Sequence, residues 1–290
     1  MKLSILLILI TTLSLTSCNE DITTSWLKIE KINLITNTTT EGENSDNITD
    51  AWVFMDNQPL GVWELPCEIP ILDDGKHSFV IYGGIKINGV NATRIKYPFF
   101  KTGDFDLTLV KGETVSYTPT VSYKSNINFT GREDFEDTGI ILNPNIDLDT
   151  SKVKIISKDN YPNIVKYGNN CGKITLTTID TITQVFTDLD LNLPKGQIIM
   201  EIDYMNTNSF AIGLNWFSAS TGQSNNDPFI QINSQTESDM KWKKIYLDLS
   251  NYVGNVTNAV GFDFYIVSGL DKGKTDGVVY LDNIKIVQFN

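Results

Sequence analysis

The chain has 290 residues, and its 35 Asp and Glu against 23 Lys and Arg give a formal net charge of −12 at pH 7. This length is sufficient for two domains of ordinary size. Nucleic-acid phosphates and anionic membrane surfaces both repel an acidic chain, so the charge argues against nucleic acid as a partner and against adsorption to a membrane.

The first residues have the pattern of an export signal. Lys2 gives a positive start, an apolar run extends from Leu3 to Leu15, and small residues precede Cys18. A basic, an apolar and a small-residue region in this order indicate a secretory signal, and the apolar run is shorter than the ~20 residues of a membrane-spanning helix. We predict a signal peptide over residues 1–17 and a tether over residues 18–24. The alternative is an ordinary secretory signal in which Cys18 is incidental.

The four residues Leu15-Thr16-Ser17-Cys18 resemble the lipobox of bacterial lipoproteins. In that family the signal is cut before the cysteine, which then carries the lipids, so the resemblance implies lipidation of Cys18, palmitate included. Several acyl chains at ~0.8 kcal/mol per buried CH₂ make a stable membrane anchor. The following Asn19-Glu20-Asp21 resembles the export signal that sends lipoproteins of Bacteroidota to the outer face of the outer membrane. A solvated linker on a periplasmic lipoprotein is the alternative.

Residues 25–122 are strand-like throughout. Apolar and polar residues alternate near period two from Trp26 to Leu34, as in a half-buried strand. Gly, Asn, Asp and Pro separate the apolar runs, and no segment holds a helical period, so we predict an all-β sandwich. The further predicted strands are Ala51 to Met55, Ser78 to Tyr82, Phe105 to Val110 and Thr114 to Tyr123.

The run from Val53 to Gly61, with Leu65-Pro66 and Gly75-Lys76-His77, resembles the PEGA family of surface-protein modules. That family has a strand, an Asp-Gly-type turn, a Gly, a Pro, and a Gly-x-His or Gly-x-Tyr entering the next strand. Here Asn57 takes the position of the turn glycine, and Asn tolerates the left-handed conformation that the turn requires. PEGA modules are non-catalytic, so the resemblance implies a spacer or docking module with an insertion from Ile85 to Phe100.

Residues 125–290 are again strand-like, and nine strands with loops of varied length favour a two-sheet jelly roll. The predicted fold is therefore all-β, with an Ig/PEGA-like β-sandwich followed by a C-terminal β-jelly roll. The predicted strands are Lys152 to Ser157, Gly172 to Thr178, Thr183 to Asp188, Gln197 to Asn206, Phe210 to Phe217, Phe229 to Asn233, Lys243 to Leu249, Ala259 to Val267 and Val278 to Val287.

Three segments, Phe135-Glu136, Trp242 to Ser250 and Val279 to Ile286, resemble the opening, central and closing strands of the galactose-binding-like jelly roll, which is common among carbohydrate-binding modules. Many members of that family bind sugars and others bind proteins, so the resemblance specifies the fold better than the ligand.

A structural calcium ion is common in that family, between the opening loop and the closing strand. The residues that match its position are Glu136, Asp137 and Asp282. Carboxylate oxygens are the hard ligands that Ca²⁺ requires. The resemblance thus implies a possible structural Ca²⁺, with solvated carboxylates as the alternative and no other cofactor expected.

Sugar-binding modules use aromatic faces that stack on the apolar faces of pyranoses, with amides and carboxylates that fix the hydroxyls. The sequence offers Asn215-Trp216-Phe217 leading into a polar segment from Ser218 to Pro228, which we predict to be a long loop. Trp216 and Phe217 are adjacent on a strand and face opposite ways, so at least one belongs to the core. The predicted ligand-binding residues are Trp216, Gln223, Asn225, Asn226 and Asp227.

Nothing in the sequence favours an enzyme. His77 is the single histidine, and its place in the PEGA-like pattern favours a structural role over a general base or a metal ligand. The segment from Glu201 to Asn206 resembles the E-h-D-x-x-E motif of a jelly-roll glycoside hydrolase family. A retaining glycosidase needs two catalytic carboxyl groups, and Asn206 stands where the second Glu belongs. The alternative for this segment is a polar strand face.

Two hypotheses for function follow. The first is an outer-membrane surface lipoprotein that binds glycans non-catalytically through its jelly roll, and it predicts an exposed aromatic platform. The second is a structural or assembly subunit of an outer-membrane uptake, secretion or adhesion complex, and it predicts an exposed apolar patch around Trp52, Trp63 or Ile85 to Phe100. One cysteine in each predicted domain, Cys67 and Cys171, is not a disulfide framework, so we expect two separate buried thiols, with an inter-domain disulfide as the alternative.

Overall fold

A computed structural model of the protein describes residues 23–144, 152–187, 190–222 and 224–290. The predicted signal peptide, the lipidation site Cys18 and the predicted ligand-binding residue Gln223 lie outside these ranges. The fold is all-β, as the sequence predicted, and helices are short. Across the described ranges, no helix is both long and apolar enough to cross a membrane.

The N-terminal module, defined as strands β1 to β10, contains three small sheets. A five-stranded sheet has the order β4-β3-β6-β7, and β8 also pairs with β6, before the part of β6 that pairs with β7. A three-stranded sheet has the order β5-β1-β9, and β10 pairs with β2. The strands are β1 Ser25–Ile29, β2 Asn33–Ile35, β3 Asp50–Met55, β4 Gln58–Glu64, β5 Cys67–Ile71, β6 Gly75–Lys86, β7 Arg94–Lys96, β8 Gly103–Leu109, β9 Thr114–Ser116 and β10 Thr120–Ser122. A one-turn helix, α1, occupies Thr38–Glu41.

The β3–β4 hairpin turns at Asp56 and Asn57, with φ of 48° and 66°. Positive φ at both central residues is the geometry of a type I′ turn, which matches the twist of the flanking strands. The Asp56 carboxylate also accepts hydrogen bonds from His77 Nδ1 (2.7 Å) and from the backbone N–H of Ser78 (2.9 Å). His77 therefore ties the turn to β6, which is the structural role that the sequence predicted.

The C-terminal module, defined as strands β11 to β21, is a sandwich of two sheets. One sheet has the order β13-β14-β21-β16-β19 with β11 also on β21, and the other has the order β12-β15-β20-β17-β18. The strands are β11 Ile127–Glu133, β12 Asn143–Pro144, β13 Lys154–Ser157, β14 Asn170–Thr177, β15 Ile182–Phe186, β16 Ile198–Asn206, β17 Phe210–Ser218, β18 Ser224–Ile232, β19 Lys243–Asp248, β20 Ala259–Gly269 and β21 Asp276–Phe289. Helix α2, Ser250–Asn255, follows β19.

The predicted long polar loop from Ser218 to Pro228 is wrong. Strand β18 begins at Ser224 and pairs with β17 over its whole length, so Asn225, Asn226 and Asp227 are strand residues. Asn, Asp and Pro favour turns, but β18 is the last strand of its sheet, where a proline leaves no ladder hydrogen bond unmade.

The two modules share a hydrophobic core. Ile85, Tyr97 and Phe99 of the N-terminal module cluster with Ile199, Tyr246 and Val287 of the C-terminal module, and each is at most 3% exposed. The segment from Ile85 to Phe100 was predicted to carry an exposed patch under the assembly hypothesis; most of its large apolar side chains are instead buried in this contact.

The N-terminal module also covers the edge strand β19. The backbone N–H of Asn88 donates to Tyr246 O (2.8 Å), and the Asn47 side chain donates to Lys244 O (3.0 Å). An edge strand otherwise exposes unpaired backbone groups, so these bonds protect β19. Within the described residues Cys67 and Cys171 form no disulfide, and burial raises the pKa of the Cys171 thiol to about 12.

Candidate functional site

A buried charge cluster lies where the two modules meet, and its centre is Glu201 on β16. Tyr97 of the N-terminal module and Tyr123, which directly follows β10, both donate a hydroxyl hydrogen to its carboxylate, Tyr123 at 2.8 Å. Lys244 Nζ lies 3.0 Å and Lys285 Nζ 3.9 Å from Glu201 Oε2. The two lysines come from β19 and β21, the strands on either side of β16. All these side chains are less than 10% exposed.

The pKa values in this cluster follow from burial and pairing. Burial disfavours the charged Glu201 carboxylate, but Lys244 and Lys285 together outweigh it and lower its pKa. Burial likewise disfavours the Lys244 ammonium, yet Asp203 and Glu201 raise its pKa. Lys285 is farther from Glu201, so burial dominates and lowers its pKa to about 8. The cluster therefore holds Glu201 and Lys244 as an ion pair.

The glycosidase-like segment thus has a structural use. The Glu201 carboxylate is fully buried, and both of its oxygens are engaged by groups of this chain. The side-chain amide of Asn206 donates to Asn208 O and Asn233 O within the sandwich. No substrate reaches Glu201 while the modules are packed, so the polar face predicted as the alternative is instead an internal contact.

A surface that could bind a ligand is the outer face of the β12-β15-β20-β17-β18 sheet of the C-terminal module, called the outer face below. Phe210, Ile212 and Leu214 of β17 lie in the core, so alternate residues of this strand face outward. The register of β17 with β18 and β20 sets outward side chains in three rows about 7 Å apart along the strands. The first row has Phe217 beside Gly261. The middle row has Asn226, Asn215 and Asp263. The third row has Pro228, Gly213 and Tyr265, and Phe186 of β15 extends it.

Glycine at position 213 allows an aromatic ring to lie on this face. A Cβ there would be 2.2 Å from Cζ of Tyr265, a distance that no real contact reaches, so the Tyr265 ring rests directly on the β17 backbone. Tyr265 itself is 5% exposed, whereas Phe186 and Phe217 are half-buried. The polar middle row therefore has aromatic rings on both sides.

The middle row contains an acceptor without a donor. Among the residues that the structure describes, Asn215 Oδ1 is buried and finds no hydrogen-bond partner. A buried amide oxygen without a partner costs roughly 1–3 kcal/mol. Its neighbour Asn226 is exposed, and Asp263 accepts a hydrogen bond from Thr187 Oγ1 (3.2 Å). The row thus offers an amide acceptor and an exposed amide side by side.

The predicted ligand residues separate into two groups. Asn226 belongs to the outer face. Trp216 packs against the core, and its Nε1 donates to Asp227 Oδ2 (3.2 Å), which also accepts the hydroxyl hydrogen of Tyr252 from α2. Asn225 pairs with Trp216 in the register. Trp216, Asp227 and Tyr252 therefore tie α2 to the end of the sandwich, and the indole is not a free platform.

The predicted calcium residues do meet at one surface pocket of about 270 Å³, which Glu136, Asp137 and Asp282 all line. The Glu136 carboxylate is occupied by the backbone N–H groups of Asn169 (2.7 Å) and Asn170 (2.9 Å). Asp282 Oδ2 is buried with no hydrogen-bond partner in the described part of the chain. Over that same part, no three His, Cys, Asp or Glu side chains are arranged to hold a metal ion. In the described part of the chain these carboxylates therefore line one pocket without clustering, and the calcium site stays a prediction.

Comparison with known proteins gives likenesses of structure alone. No protein-family model and no curated protein matches the chain. A Clostridium thermocellum endo-1,4-beta-D-xylanase 10B chain with CBM22-1 and GH10 modules, complexed with xylohexaose, matches at TM-score 0.39 and 10% identity, over 56% of this chain and 29% of that chain.

Two smaller structures match over most of their own length. The CBM22-1 xylan-binding domain from Paenibacillus barcinonensis has TM-score 0.38 and 14% identity, over 55% of this chain and 93% of that chain. A carbohydrate-binding module specific for non-crystalline cellulose, CBM28, has TM-score 0.37 and 12% identity, over 52% and 90%.

Sequence reasoning missed the outer face because its members are far apart in the chain. Phe186, Asn215 and Tyr265 lie on three different strands, and only the strand order places them together. Period-two alternation predicts only that Trp216 and Phe217 face opposite sides of their strand. Which neighbours flank either side cannot be read from local pattern.

Proposed function

We propose that the protein binds glycans non-catalytically on the outer face of the β12-β15-β20-β17-β18 sheet of its C-terminal module. The observation that carries this proposal is the polar row with the unpartnered Asn215 Oδ1, which lies between Phe217 and the Tyr265–Phe186 pair. A pyranose ring has an apolar face that stacks on an aromatic ring and hydroxyls at its rim that bond to amides. The face offers rings in the half-buried Phe217 and Phe186, and amides in Asn215 and Asn226 between them.

The attachment of this module to the cell surface forms part of the same proposal. The lipobox-like sequence ending at Cys18, with Asn19-Glu20-Asp21 after it, supports a lipid anchor in the outer membrane. The N-terminal module would then hold the jelly roll away from the lipid. Its packing against the C-terminal module supports a fixed spacer rather than a flexible linker.

The test is a glycan-array screen of the chain from residue 18, followed by isothermal titration with any bound oligosaccharide. Phe217→Ala and Asn226→Ala remove one ring and one exposed amide from the face. We expect each to weaken binding roughly tenfold, which corresponds to ~1.4 kcal/mol. Tyr161→Ala is the matched control, because Tyr161 is a 40% exposed aromatic residue in a loop and not on the outer face.

Trp216→Ala separates this proposal from the site expected at the end of β17. A variant that remains folded and loses binding while Phe217→Ala keeps it would move the site to the Trp216 end of the sandwich. Silence of the folded wild type across a broad array would overturn glycan binding and direct attention to protein partners from the outer membrane.

A further inference from the structure

A second cavity lies between the two modules, away from the outer face. It is a cleft of about 480 Å³, lined by residues 46–49 and 86–91 on one side and by residues 166–167, 203–204 and 241–245 on the other. Neither module forms it alone. The cleft is open to solvent, and its floor is made by Asp203 and Lys244, which are 1% and 6% exposed.

The cleft is basic although the chain is acidic. Five lysines line it against two aspartates, in a chain where acidic residues outnumber basic ones by 35 to 23. Lys244 is paired with Glu201, and Lys86 with Glu64 (3.3 Å). Across the described ranges Lys166, Lys241 and Lys243 form no ion pair, and all three are exposed.

Aromatic rings stand beside these free cations. The indole of Trp242 is half-buried and fixed by a hydrogen bond from its Nε1 to Ile164 O (2.7 Å). Tyr167 lies under the ammonium of Lys166, whose Nζ is 4.6 Å from the ring centroid. A fixed aromatic surface with exposed ammonium groups around it suits a ligand that has an apolar ring face and carries negative charge.

A polar row in the floor gives a second indication of a ligand. Asp203 Oδ2 is buried, lies 3.7 Å from Lys244 Nζ, and has the Ser45 hydroxyl as a neighbour. The Asn47 side chain, also in the cleft, donates to Lys244 O. The hydroxyls of a bound saccharide would meet the polar floor formed by Asp203 and Asn47, while its anionic group would meet the rim lysines.

We propose that this inter-module cleft binds an acidic saccharide, one that carries carboxylate or sulfate groups, at a site separate from the outer face. The shared chemistry is an anionic group on a sugar ring. A nucleotide has a ring and a charge as well, but the described residues that line the cleft include no glycine-rich loop or helix N-terminus to hold a phosphate. The saccharide is therefore the favoured occupant.

The test uses the chain from residue 18 and three polysaccharides in affinity electrophoresis and titration: polygalacturonate for carboxylate, heparin for sulfate, and neutral xylan. We expect binding to at least one polyanion. The double variant Lys241→Ala/Lys243→Ala should weaken that binding about tenfold or more, since each lysine contributes on the order of threefold or greater. Raising salt from ~50 mM to ~500 mM should weaken it further, because the Debye length shortens.

The matched control is Lys195→Ala/Lys272→Ala, which removes two exposed lysines elsewhere on the same module; its affinity should stay within about twofold of wild type. Phe217→Ala should leave polyanion binding unchanged, so failure of the outer-face proposal and failure of this one give different results. No binding of either polyanion, or equal loss in both lysine variants, would overturn the proposal.

Discussion

Replacing Glu201 by Gln tests whether the buried cluster holds the two modules together. The amide keeps the shape of the side chain and still accepts the hydroxyl hydrogens of Tyr97 and Tyr123. It no longer balances Lys244 and Lys285, which are almost fully buried. The variant therefore isolates the charge from the packing.

The magnitude follows from the burial. Removing one partner of a buried ion pair costs ~3–5 kcal/mol, because the other charge stays in the interior without compensation. For a chain of this size each kcal/mol corresponds to ~2–4 °C, so the thermal midpoint should fall by roughly 6–20 °C. Because both tyrosines precede β11 while Glu201 lies in the C-terminal module, we expect calorimetry to show one transition for the wild type and two for the variant.

The control is Glu64→Gln, which removes the carboxylate that Lys86 and Arg94 share at the surface. Solvent screens that pair, so the midpoint should hardly move. Adding Lys285→Met to Glu201→Gln should recover part of the loss, since one uncompensated ammonium is then gone. A Glu201→Gln midpoint no lower than that of Glu64→Gln would refute the idea that this cluster stabilises the inter-module contact.

Two further predictions concern Lys285 and Asp282, which both lie on β21. Burial lowers the pKa of Lys285 to about 8 from an ordinary value of 10.5. Its contribution to stability is therefore complete above pH 10.5 and is lost as the pH falls toward 8. In urea, the wild-type free energy of unfolding should rise between ~pH 8 and ~pH 9.5 by up to ~1.4 kcal/mol per pH unit, and Lys285→Met should remove that slope. Asp282 is buried beside Asp203 with one unpartnered oxygen, and burial and then Asp203 raise its pKa. In EDTA, Asp282→Asn should therefore be at least as stable as wild type, whereas Ca²⁺ that stabilises wild type and not this variant would support the predicted calcium site.

Most strands of the C-terminal module were predictable because their apolar runs are long, although β11 and β12 were missed and β18 begins before the predicted Phe229. The predicted Gln197 to Asn206 and the observed β16 differ by one residue, and Val278 to Val287 lies inside β21. In the N-terminal module β4 and β5 were missed. Gln58–Glu64 contains a proline and a glycine, and its side chains are mostly half-buried or exposed, so it has no apolar face to recognise.

The inter-module contact was beyond sequence reasoning for a different reason. Glu201 and Asp203 were recognised as an unusual pair on one strand face, and either a catalytic or a solvated face would produce that pattern. Their partner Tyr97 lies 104 residues away and Lys244 lies on another strand. The Ile85 to Phe100 segment was recognised as an insertion, but only the fold shows that it packs on β16 and β19.

The same contact predicts that the jelly roll does not stand alone. In residues 125–290, Ile199, Tyr246 and Val287 would lose their cover, and burial of Ile199 and Val287 alone contributes roughly 3–6 kcal/mol. Glu201 would also lose both tyrosine hydroxyls, and β19 would become an open edge. We expect this fragment to unfold well below the midpoint of the chain from residue 18 and to bind a dye for exposed apolar surface in thermal scans. A fragment as stable and as soluble as that chain would mean that the contact is incidental, and a cleft built from both modules would then have no basis.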